Sequence, residues 1–281
     1  MNSLLLQVTQ WLNQIAGALA AILLWPIGRL PEIAGAVLIS VVTGIGMLVI
    51  FKQTSNQTAV KRTRNHLRAE LLALSLFRDS ISVSLGCQFR MVTGACRLLM
   101  LALIPMLVMV IPVSLLLGQL SLWWQARPLS PGQEAVVTVN LAKRVQRKLP
   151  EVELMRDKGF DVTLGPVCLR SKPAVCWNIS AVQPGYHLLR FRIDGVDVEK
   201  QVAIGEKLMR VSLRRPSEDW ADMLQHPAEA PFPPDSTVQS IDIQYPESSS
   251  WVTGKDKWIL AWFIGSTISA LCFRPILKVN L

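Results

Sequence analysis

The side chains equipped to act on a partner are few, and they stand in separate parts of the chain. Lys61, Arg62, Arg64 and Arg68 crowd into eight positions. Such a cluster draws anionic surfaces, in the first place the headgroups of anionic membrane lipid. Cys168 and Cys176 flank Ser171-Lys172-Pro173; in an oxidising compartment they are either a disulfide closing a hairpin-like loop or two buried free thiols. The only histidines are His66, His187 and His226. No GxSxG, HExxH, P-loop or strand-following GxGxxG is present, and a Ser/His/Asp arrangement could be assembled only by free choice among many serines. The expectation is a protein without catalytic residues, cofactor or metal site.

What positions these residues is a set of apolar stretches. Residues 98–122 are 25 consecutive residues without a charge, enough at ~1.5 Å per residue to cross a hydrocarbon core of ~30 Å with some tilt. Within this run Pro105 and Pro112 are seven residues apart and fall on nearly the same face. Each removes a backbone hydrogen bond, so kinks and a space beside the helix are expected. Residues 33–51 form a second uncharged run, where Gly35, Ser40, Thr43, Gly44 and Gly46 offer small faces to a neighbouring helix. A third, 258–273, lies between Lys257 and Arg274. It is short, and snorkelling of those two side chains, with Trp258 and Trp262 at the interface, completes it.

Charge orients these runs. The chain carries a net +9, yet residues 123–255 hold 17 basic against 16 acidic side chains while 52–97 hold eight against two. The positive-inside rule therefore places 52–97 in the cytoplasm. With the basicity explained in this way, no direct nucleic-acid binding is expected.

The first 28 residues are uncharged. Ser3, Gln7, Gln10, Gln14 and Gly17 oppose Leu4, Val8, Trp11, Leu12, Ile15 and Leu19 at helical spacing. Two readings stand: an amphipathic interfacial helix over 1–30, broken at Pro26-Ile27-Gly28, or a full span at 4–25. Residues 58–79 have helical spacing with a basic outer face. Residues 80–89 alternate like a strand but have no strand to pair with, so Ile81, Leu85, Phe89, Val92 and Cys96 are read as one face of a second helix. Residues 52–97 then form a basic helical hairpin of coiled-coil type.

Past 123 the pattern shortens to strands at 134–141, 151–155, 160–164, 174–179, 186–193, 196–204 and 208–213. The clearest pair is joined by Asp194-Gly195, a favoured type I′ hairpin turn. Seven such strands over 123–215 predict an immunoglobulin-like β-sandwich lacking the Cys–Trp–Cys framework. Residues 216–255 are rich in Pro, Ser and acids and read as a linker with one possible strand at 238–245. The predicted fold class is membrane α-helical, with three transmembrane helices (31–51, 98–122, 256–275), an N-terminal interfacial helix, a cytoplasmic helical hairpin and an inserted all-β immunoglobulin-like sandwich. The tail 276–281 is cytoplasmic.

This order of parts, with the stretches WLNQIAGALAAILLW, KRTRNHLRAELLALSLF and LIPMLVMVIP, resembles the three-span branch of the YidC/Oxa/Alb membrane insertase superfamily over about residues 4–122 and 256–281. The resemblance implies a multi-pass protein of the bacterial inner membrane that assists membrane-protein insertion or assembly, its N-terminus outside and its β-domain periplasmic. It implies a polar groove lined by Ser40, Thr43 and Gln119, and a role for Arg62, Arg64 and Arg68 in receiving nascent membrane proteins or the ribosome. A small membrane protein partner or a homodimer is implied as well, because three spans rarely enclose a groove alone. The chain departs from the superfamily in having no basic residue within 33–51 and in carrying a β-domain between its second and third spans. The alternative is a non-catalytic membrane anchor whose periplasmic β-domain binds a partner protein.

Overall fold

The computed structural model describes residues 2–24, 31–76, 81–142, 150–169, 172–247, 257–277 and 279. The break expected at Pro26-Ile27-Gly28, the end of the supposed linker at 248–255 and residues 278, 280 and 281 of the tail lie outside these. Six helices are present among the described residues: α1 (Asn2–Leu24), α2 (Glu32–Thr54), α3 (Gln57–Leu76), α4 (Ile81–Trp124), α5 (Trp220–Gln225) and α6 (Lys257–Leu277). Three segments, Ile33–Thr54, Leu85–Trp124 and Lys257–Leu277, are long and apolar enough to cross a membrane.

The alternating stretch after Ser80 is helical. It is also continuous with the apolar run: α4 passes from Ile81 through Pro105 and Pro112 to Trp124 as 44 residues of one helix, roughly 66 Å long at 1.5 Å per residue. No chain break separates the hairpin from the apolar run at 97/98. Nothing in the sequence there stops a helix, since Arg97 and Leu98 are both good helix formers.

The chain forms two compact units, one of residues 1–35 with 114–260 and the other of 36–113 with 261–281. The first contains every strand among the described residues: β1 (Glu134–Leu141), β2 (Val152–Leu154), β3 (Phe160–Leu169), β4 (Ala174–Ala181), β5 (Gly185–Ile193), β6 (Val196–Ile204), β7 (Arg214–Arg215) and β8 (Val238–Ile243). They make two antiparallel sheets, in the orders β3-β4-β1-β8-β7 and β2-β5-β6. Alternate residues of each sheet point inward, so Val137, Ile179 and Ile241 of the larger meet Leu189, Phe191 and Val202 of the smaller in one core. Full burial of each such side chain is worth about 1.5–3 kcal/mol. Trp177 belongs to this core, its ring centroid 5.3 Å from that of Phe191. Asp194 and Gly195 both have positive φ, 47° and 82°, the backbone a type I′ turn demands between Ile193 and Val196.

One strand expectation and the linker expectation need correction, while the strand expected at 238–245 is present as β8 (Val238–Ile243). Residues 208–213 form no strand, because their backbone groups serve other partners: Val211 N–H donates to the Leu122 carbonyl (2.7 Å) and the Leu213 carbonyl accepts from Ile243 (2.9 Å). Residues 216–247 are not an extended linker. They carry α5 and buried Met223, Phe232 and Tyr245, and β8 lies inside the larger sheet between β1 and β7.

Candidate functional site

In the second unit α2 and α6 are held together by small residues. A β-carbon on Gly44 would fall 2.5 Å from the Ser266 carbonyl oxygen, and one on Gly265 would fall 2.8 Å from Ser40. Such close approach turns backbone dipoles and hydroxyls into glue. Thr43 Oγ1 donates to the Ile39 carbonyl (2.7 Å) and accepts the Trp262 indole N–H (3.0 Å), and Ser269 Oγ donates across to the Val41 carbonyl (3.3 Å). Trp262 is buried by this contact, and Trp258, which belongs to the first unit, is buried with its ring centroid 6.3 Å from that of Trp124.

Beside this contact, α2, α4 and α6 border an open apolar cavity of about 430 Å³, lined among others by Met47, Phe51, Met106, Met109, Trp262 and Phe263. Met106 and Met109 come from the α4 segment between the two prolines. None of the three residues expected to line a polar groove borders this cavity. Ser40 and Thr43 are spent on the α2–α6 contact. Gln119 belongs to the first unit, where it is buried at 4% exposure beside Gly17 of α1 with Nε2 unpartnered. The space between the helices is apolar because the polar side chains of α2 turn toward α6.

The hairpin helices α3 and α4 run antiparallel. A β-carbon on Gly94 would stand 2.8 Å from Leu67 Cδ2, and Arg90 Nε donates to Glu70 Oε1 at 2.9 Å. Toward the α3 start this pair opens into a pocket of about 590 Å³ whose lining includes Arg62, His66, Arg90 and Arg97. Of the four basic residues singled out on α3, Arg62 alone borders it; Lys61 and Arg68 are exposed elsewhere and Arg64 is half-buried.

In the first unit α1 is turned against the usual rule. Part of its polar stripe faces protein: Asn13 Nδ2 donates to the Met223 carbonyl (2.8 Å), and Gln10 and Gln14, themselves exposed, border with Gly17 a cavity against residues 216–231. Its apolar stripe faces outward, with Trp11 68% exposed and Val8, Ile15 and Leu19 also exposed. On the same side of the domain a buried ionic cluster went unseen in the sequence. Lys200 is fully buried, and its ammonium donates to the Ser212 carbonyl and Oγ (2.8 Å each) and to Glu229 Oε1. Glu229 also accepts from Ser212 Oγ and from the Gln201 N–H. A Ser–Lys pair acts in acyl transfer when the amine is neutral and the hydroxyl open to substrate. Here a carboxylate accepts from both groups and Ser212 is 4% exposed, so the cluster is a clamp holding 226–232 to β6. The signal was available in the sequence: Val198, Lys200, Val202 and Ile204 form one face of β6, and a lysine on such a face has to be paired.

The cysteines are free. In the β3–β4 register Cys168 opposes Val175 and Cys176 opposes Val167, so the two side chains point to opposite faces of the sheet and no disulfide joins them. Neither thiol is deeply buried: Cys168 is exposed, and Cys176 is half-buried with its Sγ 3.5 Å from Thr138 Oγ1. Among the described residues no group of three His, Cys, Asp or Glu side chains converges as a metal site. Comparison with known protein families, with curated proteins and with solved structures finds no match to this chain.

Proposed function

We propose that the chain is a bacterial inner-membrane protein of insertase-like architecture that helps apolar segments of other proteins enter or assemble in the bilayer. The observation that carries this reading is the apolar cavity among α2, α4 and α6. Methionine is unbranched and polarisable and repacks around differing shapes, which suits a surface that must accept many apolar sequences without choosing one. In this reading the three apolar segments span the membrane, the basic α3–α4 hairpin is cytoplasmic, and the β-domain is periplasmic and immunoglobulin-like. The outward apolar stripe of α1 lies in the outer interface, while the exposed Leu99, Leu103, Ile104, Leu107 and Ile111 of α4 face lipid, a small membrane partner or a second copy. The polar groove of the YidC/Oxa/Alb superfamily is replaced by an apolar one, so the step assisted is lateral packing of a segment already in the hydrocarbon.

A second reading, an anchor presenting a partner-binding β-domain, is favoured by β3. It is the outer strand of its sheet, with Val162, Leu164, Val167 and Leu169 exposed, and its Val162 and Cys168 border a cleft of about 710 Å³. An unpaired strand edge invites a further strand. A photo-crosslinker at Met109 and another at Leu164 separate the two. Insertion predicts capture of varied nascent membrane segments at Met109; one folded partner captured at Leu164, with nothing at Met109, sinks it.

A further inference from the structure

We infer that the α3–α4 pocket is a binding site for the phosphate of an anionic phospholipid headgroup. Its lining includes Arg62, Arg90, Arg97 and His66 and no aspartate or glutamate, although Glu70 lies just behind it, 3.8 Å from His66 Nδ1. Arg90 is committed to Glu70 at 2.9 Å. Among the described residues neither Arg62 nor Arg97 makes an ion pair. Arg62 and Arg97 are both exposed at the pocket's rim, on helices that meet closely at Gly94 and Leu67. A planar guanidinium forks onto phosphate oxygens through paired N–H donors. At about 590 Å³ the pocket lies within the ~300–1,000 Å³ typical of sites for small ligands.

The source of the phosphate follows from where the pocket stands along the helices, and this step rests on the membrane reading proposed above. Asn56, in the lining, is two residues beyond Thr54, the end of the apolar segment in α2. Arg97 immediately precedes the uncharged run 98–122. The pocket thus opens where both apolar stretches end, at the depth of lipid phosphates, and basic pockets between helices at this depth take anionic headgroups. Lys61 and Arg68, outside the pocket, add only the diffuse attraction of any basic face.

The test uses the full chain reconstituted into nanodiscs of mixed phosphatidylglycerol and phosphatidylcholine, with retained lipids counted by native mass spectrometry. Wild type should retain phosphatidylglycerol in excess of its bulk share. Arg62→Gln with Arg97→Gln should lower that excess roughly thirtyfold, two charge-assisted contacts' worth, while Arg64→Gln with Arg68→Gln, an equal loss of charge, removes only screened diffuse attraction and should lower it by less than about threefold. Equal loss in both double variants, or unchanged selectivity in the first, overturns the site. Should the first variant fail to fold, wild type decides: short-chain phosphatidylglycerol must raise its unfolding temperature in zwitterionic detergent, and short-chain phosphatidylcholine must not. Stabilisation by inorganic phosphate alone, or by an RNA oligonucleotide in place of lipid, overturns the lipid source. Release of the chain from membranes by alkaline carbonate without detergent overturns the membrane reading with it, whereas a membrane-integral chain lacking lipid selectivity overturns the site alone.

Discussion

Lys200 and Glu229 show how one buried charge constrains its surroundings. Removing one partner of a buried ion pair strands the other in a low-dielectric interior, at a cost of about 3–5 kcal/mol. Glu229→Gln should therefore destabilise the β-domain by that amount in urea unfolding of the detergent-solubilised chain followed by tryptophan fluorescence. Lys200→Met with Glu229→Leu, which removes both charges, should recover most of the loss. Burial holds the Lys200 ammonium below the ordinary lysine range. Between its folded value and about 10.4 the unfolded chain then binds more protons, so this group's contribution to stability rises with pH across that window. Comparing wild type with the double variant isolates that rise, which the double variant lacks.

Among the elements, the α2–α6 contact makes a prediction of sign. Gly44 and Gly46 are two residues apart in the same helix, and only Gly44 faces a neighbour; around a β-carbon on Gly46 there is nothing within 4 Å. Gly44→Ala should destabilise by about 1–3 kcal/mol, the usual cost of overpacking. Gly46→Ala should be neutral or stabilising by up to ~1 kcal/mol through helix propensity. Thermal unfolding in detergent reads both. The sequence offers five small residues on α2 without saying which of them meets a helix more than 200 positions away. For the same reason Ser40 and Thr43 are visible as polar groups in an apolar run, while their engagement with Gly265 and Trp262 is not. Elements written locally are legible: the 25-residue uncharged run, and the Asp194-Gly195 turn whose two positive φ values any sheet partner leaves unchanged. β8 is the opposite case. Its flanks are proline- and acid-rich, and its place in the sheet is set by pairing with β1 about a hundred residues earlier, which local composition does not record.

For the whole molecule, the charge map yields one prediction on which the proposed membrane layout depends. In a background with all five cysteines replaced, Thr58→Cys should react with an impermeant maleimide only after the cytoplasmic side is exposed, and Leu188→Cys should react in intact spheroplasts. Labelling of the Thr58 position from outside overturns the layout. The distribution of basic residues yields an expected orientation, because it depends on totals per segment. The character of the interhelical space was hidden, because it depends on which way a few hydroxyls turn.

The Asn13–Met223 hydrogen bond joins residues 210 positions apart, and that separation has a meaning in time. At ~5–20 residues per second of synthesis, roughly ten to forty seconds pass between the emergence of α1 and that of the segment against which part of its polar stripe packs. During that interval Gln10, Asn13 and Gln14 have only water or lipid headgroups as partners, and Trp11 and Ile15 have only hydrocarbon. In the proposed setting the bilayer interface thus serves α1 as a waiting place, and the β-domain closes on it last.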